Sequence, residues 1–89
     1  MELSEQQKEI LRITQEESAE VIQAVSKVFR FGMDSEWKGV VNRDHLAEEL
    51  GDLLCMIDLC ISKEIVRGDA VFSASINKLK KLETWSNIK

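Results

Sequence analysis

Eighty-nine residues make one small domain, and so short a chain buries too little surface to be more than marginally stable alone; a disulfide, a metal or further copies of itself should assist. Sixteen acidic against twelve basic residues give a net charge of −4, which argues against binding a nucleic acid polymer, whose phosphates call for a basic footprint. No secretory signal or membrane-length apolar run is legible, and Cys55 and Cys60 sit in one apolar stretch as two buried thiols rather than a disulfide, so a reducing cytoplasm and no membrane partner are expected.

Proline is absent and no run alternates at period two, so helical spacing dominates. The first helix is expected to start at Ser4, where Ser4 and Gln7 match a capping box. It runs through Ile10, Ile13, Val21, Ala24, Val25 and Val28 toward Phe31, and Gly32 fits a left-handed stop. Met33 to Val41 carries Trp37 and no clear period; it reads as a loop with room for one short helical turn. A second helix is expected from Asn42, a good N-cap, to about Val66. At Gly68-Asp69 glycine ends that helix and aspartate caps a third, which continues to Trp85 on a stripe of Val71, Phe72, Ile76, Leu79 and Leu82.

The fold class is therefore all-α: one domain over 1–89, a small bundle of three main helices with room for a short extra one. From Leu50 to Ile65 the second helix is apolar around nearly its whole circumference, and such a helix must be buried on all sides. Two other helices cannot enclose it, so homo-oligomerisation should complete a core of four-helix-bundle type, with a twofold homodimer the simplest form and a homotetramer the next.

The first helix carries Glu16-Glu17-Ser18-Ala19-Glu20 and the second Glu48-Glu49-Leu50-Gly51-Asp52. Glu17 and Glu20, and again Glu49 and Asp52, are three apart and share a helix face. Two such pairs on facing helices would surround one point with four carboxylates. Mg²⁺ relieves their repulsion, binds through oxygen and keeps positions open for a substrate phosphate. Acids so spaced are usually a solvated face, and spacing alone leaves that reading open beside the metal site. Both pairs border apolar residues, however, and a buried carboxylate must be paired or metal-bound. Gly51 costs a helix interior about 0.8–1 kcal/mol, which suggests close approach of another backbone or a ligand.

The pattern Glu16-Glu17-x-x-Glu20 followed by Glu49-x-x-Asp52 resembles the signature of the MazG-like all-α NTP pyrophosphohydrolases, a superfamily that includes dimeric dUTPases and phosphoribosyl-ATP pyrophosphohydrolases. The context is similar as well: Glu17-Ser18-Ala19-Glu20-Val21 with Lys27 downstream, Glu48 to Leu54, and Asn77-Lys78-Leu79 in the last helix. The likeness runs from about Leu11 to Trp85, nearest to short phage-like members, which would place a phage-encoded copy in the host cytoplasm. It implies Mg²⁺-dependent hydrolysis of nucleoside or deoxynucleoside triphosphates to monophosphate and pyrophosphate, with Mn²⁺ as a substitute metal. It further implies Glu17, Glu20, Glu49 and Asp52 as metal ligands, Glu16 beside them to position water, and Lys78, Asn77 and Lys81 on the phosphates. A dedicated dUTPase or dCTPase, and a catalytically silent oligomerisation or regulatory module, are the alternatives. Longer members shape the nucleoside pocket with parts that are reduced at both ends of this chain, which leaves base choice open.

Other residues have plainer readings. His45, the one histidine, is expected to face solvent, and the Glu-x-x-His motif that a di-iron site takes from each of two helices is absent. Trp37 and Trp85 could each stack on a base or simply pack; Trp37 is favoured because it lies in the loop. Lys27 and Arg30 suit the dipole at a helix C-terminus, and Lys27 is also a reasonable phosphate contact.

Overall fold

The computed structural model describes residues 1–88. Helix α1 (Glu5–Phe31) starts as its spacing predicts: the Gln7 N–H donates to Ser4 Oγ at 3.0 Å and the Ser4 N–H to Gln7 Oε1 at 2.9 Å, closing the capping box. It ends at Gly32, whose φ of 95° suits glycine; ψ is 160°, so the chain leaves extended rather than through a left-handed helical cap.

The segment read as a loop with room for a helical turn holds instead a small antiparallel hairpin. Strand β1 (Glu36–Trp37) pairs with β2 (Val40–Val41), Glu36 opposite Val41 and Trp37 opposite Val40. Lys38 and Gly39 have φ of 51° and 82°, and two successive positive φ angles make the tight two-residue turn that matches strand twist. Two-residue strands are too short to show a period, which is why the sequence reads as loop.

Helix α2 (Asn42–Ser62) begins where expected, but Asn42 is not its cap. Val41 holds that position, while the buried Asn42 side chain donates from Nδ2 to Gly32 O at 2.9 Å and Lys27 O at 3.5 Å. The asparagine thus ties the start of α2 to the end of α1. The helix stops at Ser62, short of Val66, because Glu64 turns to φ 61° and the N–H groups of Ile65 and Val66 fold back onto Cys60 O. Helix α3 (Gly68–Trp85) then opens with Gly68 inside its first turn, where a Cβ would lie 3.1 Å from Ile61 Cγ2. Arg67 holds the N-cap position, and its guanidinium meets Asp69 at 2.6 Å, keeping that carboxyl below its usual range.

Three ties set the antiparallel register of α1 and α2. Gln7 Nε2 donates to Lys63 O at 2.8 Å, Thr14 Oγ1 lies 3.7 Å from Cys60 Sγ, and Asn42 reaches Lys27 at the far end. Ile10, Met56 and Cys60 form the core between them, with Leu11, Ile13, Leu59 and Ile65 packed around it. Ala24 is buried further along. Cys55, expected to be buried, is exposed, because it lies away from the Met56–Cys60 side that faces α1. No residue of α3 joins this core or is buried anywhere. The radius of gyration is 15.8 Å, against about 12 Å for a compact chain of this length.

Candidate metal centre

The register places Glu17 level with Asp52 and Glu20 level with Glu49. On α1, Ile10, Glu17 and Ala24 recur every seven residues, and on α2 so do Asn42, Glu49 and Met56. In each series the two outer residues are buried, so Glu17 and Glu49 stand at seam positions an apolar side chain would normally fill. One carboxylate oxygen from each of Glu17, Glu49 and Asp52 lies within 4.8 Å of the others. Glu49 is only 7% exposed and Glu17 half-buried, whereas Asp52 and Glu20 line the open side.

Their electrostatics follow from that crowding. The Glu17 carboxyl is pushed up first by desolvation, then by the charges of Asp52, Glu49, Glu20 and Glu16. Glu49 is likewise raised by desolvation, Glu20, Asp52 and Glu48, with His45 alone acting in the opposite sense. Glu20 and Glu16 therefore belong to the same acidic field, although neither is in the tight trio. The donor set is all hard oxygen, it is crowded enough to favour a dication, and one side is open. It suits Mg²⁺ or Mn²⁺ better than a nitrogen- or sulfur-preferring metal.

His45 is a correction to the sequence reading. It is partly sheltered, and its Nε2 lies 3.9 Å from Glu49 Oε1 across one helical turn. The signal was available in the four-residue spacing from His45 to Glu49. His45 also lines a hollow with Lys27, Trp37, Lys38, Val40 and Asn42. A mainly apolar pocket of about 390 Å³, sharing Lys27, Trp37 and Asn42 with that hollow, is further walled by Phe31, Ser35 and Glu36. The structure thus gathers Lys27 and Trp37 at one place, and His45 links that place to Glu49. Phe31, Ser35 and Glu36 were missed because only the hairpin brings them there.

Asn77, Lys78 and Lys81 are not gathered with the acids. Lys78 and Lys81 line a groove with Leu82 and Trp85, all on α3, and no lysine contributes to the shifts of Glu17 or Glu49. Trp85 is exposed beside them. Among the described residues no helix is long and apolar enough to cross a membrane.

A family model described as the MazG nucleotide pyrophosphohydrolase domain matches residues 5–84. No curated protein and no solved structure matches the chain. That match spans α1, α2, both acidic pairs and all but the last residue of α3, and the chain belongs to the MazG nucleotide pyrophosphohydrolase domain family.

Proposed function

We propose that this protein is a Mg²⁺-dependent hydrolase of nucleoside triphosphates, acting in the cytoplasm as a homo-oligomer and releasing monophosphate and pyrophosphate. The observation that carries this reading is the convergence of Glu17, Glu49 and Asp52 oxygens within 4.8 Å at seam positions of two helices. Glu17, Glu20, Glu49 and Asp52 would hold the metal. Bound there, Mg²⁺ supplies Lewis-acid polarisation of the phosphate and offsets the charge of the leaving pyrophosphate.

The chain's own residues supply the rest. Seam packing fixes Glu17 and Glu49 in place, so their geometry is set before substrate arrives. Glu16 lies beside the ligands on the exposed side, where a carboxylate can orient a water and take its proton as the new P–O bond forms. The bond between the α-phosphorus and the bridging oxygen breaks, and the electron pair leaves with pyrophosphate. Lys27 offers a cation at the adjoining hollow, and Trp37, 62% exposed, offers an aromatic face to the base. The apolar pocket beside Trp37 is in the size range of small-ligand clefts.

Incubation with Mg²⁺ and each NTP and dNTP in turn should release equal amounts of monophosphate and pyrophosphate, and a chelator should stop the release. Release from no nucleotide would leave the silent oligomerisation module in its place. Glu20→Ala and Asp52→Ala should each abolish the reaction while helical circular dichroism persists. Activity surviving both changes removes the assignment of the acids.

A further inference from the structure

The acidic centre, a polar hollow and an apolar pocket follow one another along the α1–α2 pair. Glu49, His45 and Asn42 occupy successive turns of α2, so about 6 Å of helix axis separates Glu49 from His45 and about 4.5 Å separates His45 from Asn42. His45 joins the acids to the hollow. Its Nε2 lies 3.9 Å from Glu49 Oε1, and it lines the hollow, of about 210 Å³, with Lys27, Trp37, Lys38, Val40 and Asn42. Lys27, Trp37 and Asn42 join the hollow to the pocket of about 390 Å³. The hollow is therefore the passage between the carboxylates and the pocket beside Trp37.

A nucleotide has its parts in the same order. With phosphates at the acids and the base beside Trp37, what remains for the hollow is the sugar; for these two ends the inference rests on the hydrolase reading. The chemistry of the lining says which residue meets the sugar. Asn42 spends its amide donor Nδ2 on Gly32 O at 2.9 Å and Lys27 O at 3.5 Å. Lys38 Nζ lies 5.4 Å from the centre of the Trp37 ring, and Val40 offers only an apolar wall. Lys27 is a cation better matched to a phosphate than to a neutral hydroxyl. His45 is left. Its contact with Glu49 is too long for a hydrogen bond, and an imidazole can both donate to and accept from a hydroxyl.

We propose that His45 is a specificity-determining residue, whose imidazole hydrogen-bonds a hydroxyl of the nucleotide's sugar in the hollow between the acidic centre and Trp37. The bond holds the sugar, and with it the α-phosphorus, in place against the carboxylates. A site built to bond a hydroxyl rejects the analogue that lacks it, because the imidazole then loses its partner.

The test takes the base that wild type hydrolyses fastest, as the ribo, deoxy and dideoxy triphosphates, each lacking one hydroxyl more than the form before it. With Mg²⁺, wild type should lose about five- to tenfold in kcat/KM at one of the two steps, the worth of one hydrogen bond. The step at which this happens names the hydroxyl. His45→Ala should be flat across that step, and His45→Gln, which keeps a donor and an acceptor, should restore part of it. A flat series in wild type overturns the proposal and leaves the hydrolase reading standing. So does an alanine variant slower on all three forms by one factor, since a residue that only steadies Glu49 acts on every sugar alike.

Binding is read apart from hydrolysis, with neither metal nor phosphate present. Trp85→Phe leaves Trp37 as the single tryptophan, and its fluorescence is followed while the ribo, deoxy and dideoxy nucleosides of each base are titrated in chelator. The nucleoside that bears the hydroxyl should quench at about five- to tenfold lower concentration than the one without it. Adding His45→Ala should make the two equal. Equal quenching by both before that change, or quenching by neither, removes the assignment of His45 even if no nucleotide is hydrolysed.

Discussion

The α1–α2 seam and α3 are built from similar residues and end in opposite states. Both have apolar side chains at helical spacing, yet the seam buries Ile10, Met56 and Cys60 while α3 buries nothing. The difference lies in what faces them. α1 and α2 are long enough, at 27 and 21 residues, to tie to each other at both ends and the middle. The turn at Glu64 to Arg67 sends α3 to a place where its own chain offers no such surface. The seam is therefore where the chain by itself is rigid enough to hold carboxylates against their repulsion, and α3 is where its apolar side chains stay uncovered.

The largest effect should come from the acids at the seam. Glu49→Ala removes the most buried member of the trio and should lower pyrophosphate release by about 10²–10³-fold, the range expected when a preorganised charge is lost at a reacting phosphate. Retained activity in a folded variant would mean that the seam position of Glu49 has no bearing on chemistry.

Packing should separate the two regions next. Met56→Ala opens a cavity in the core and should cost about 2–5 kcal/mol, measured by urea unfolding. Leu79→Ala at a dilution where the protein is monomeric should change stability by less than about 0.5 kcal/mol, as a surface substitution does. At concentrations where copies associate, the same change should shift the midpoint far more. A Leu79→Ala penalty that ignores concentration would show α3 packed within its own chain.

How much of this was legible beforehand follows the same division. The capping box, the helices and the acidic pairs all rest on local spacing, which a sequence displays directly, whereas the register of α1 and α2 rests on cross-helix ties that it does not display. The hairpin was hidden because four strand residues carry no period, although Lys38-Gly39 is a turn signal in retrospect. Asn42 was misread because a capping residue and a cross-helix donor have the same chemistry, and only the position of Gly32 O decides between them. His45 was assigned to solvent although it stands one turn from Glu49. The apolar circumference of α2 is half enclosed by α1 and leaves Leu50 and Leu54 exposed, and it misled at Cys55, which lies on that uncovered side.

Gly51 sharpens the comparison from the other direction. The close approach expected there is absent within the chain, since a Cβ meets nothing within 4 Å. Gly51→Ala should therefore stabilise the monomer by about 0.8–1 kcal/mol through helix propensity. Gly51→Leu should instead weaken self-association, read as a faster monomer–dimer exchange or a larger dissociation constant in sedimentation. Equal association in both variants would show that no partner helix rests on this side of α2.

The smallest effect expected is a dependence on pH in metal-free protein. Glu17 and Glu49 are both raised above the ordinary 4.5 by desolvation and neighbouring carboxylates, so the folded chain keeps their protons at pH values where the unfolded chain has lost them. The stability tied to these two groups is fully present below pH 4.5 and is lost as pH climbs through the raised values. Other carboxylates titrate in the same range, so the comparison must be with a variant. In chelator, wild type should lose more stability than Glu17→Gln between pH 4.5 and 7, because the glutamine removes one raised group and relieves its neighbours. Mg²⁺ added at pH 7 should raise the wild-type Tm more than that of the variant. Parallel pH profiles in the two proteins would mean that the carboxylates at the seam do not repel one another as their spacing demands.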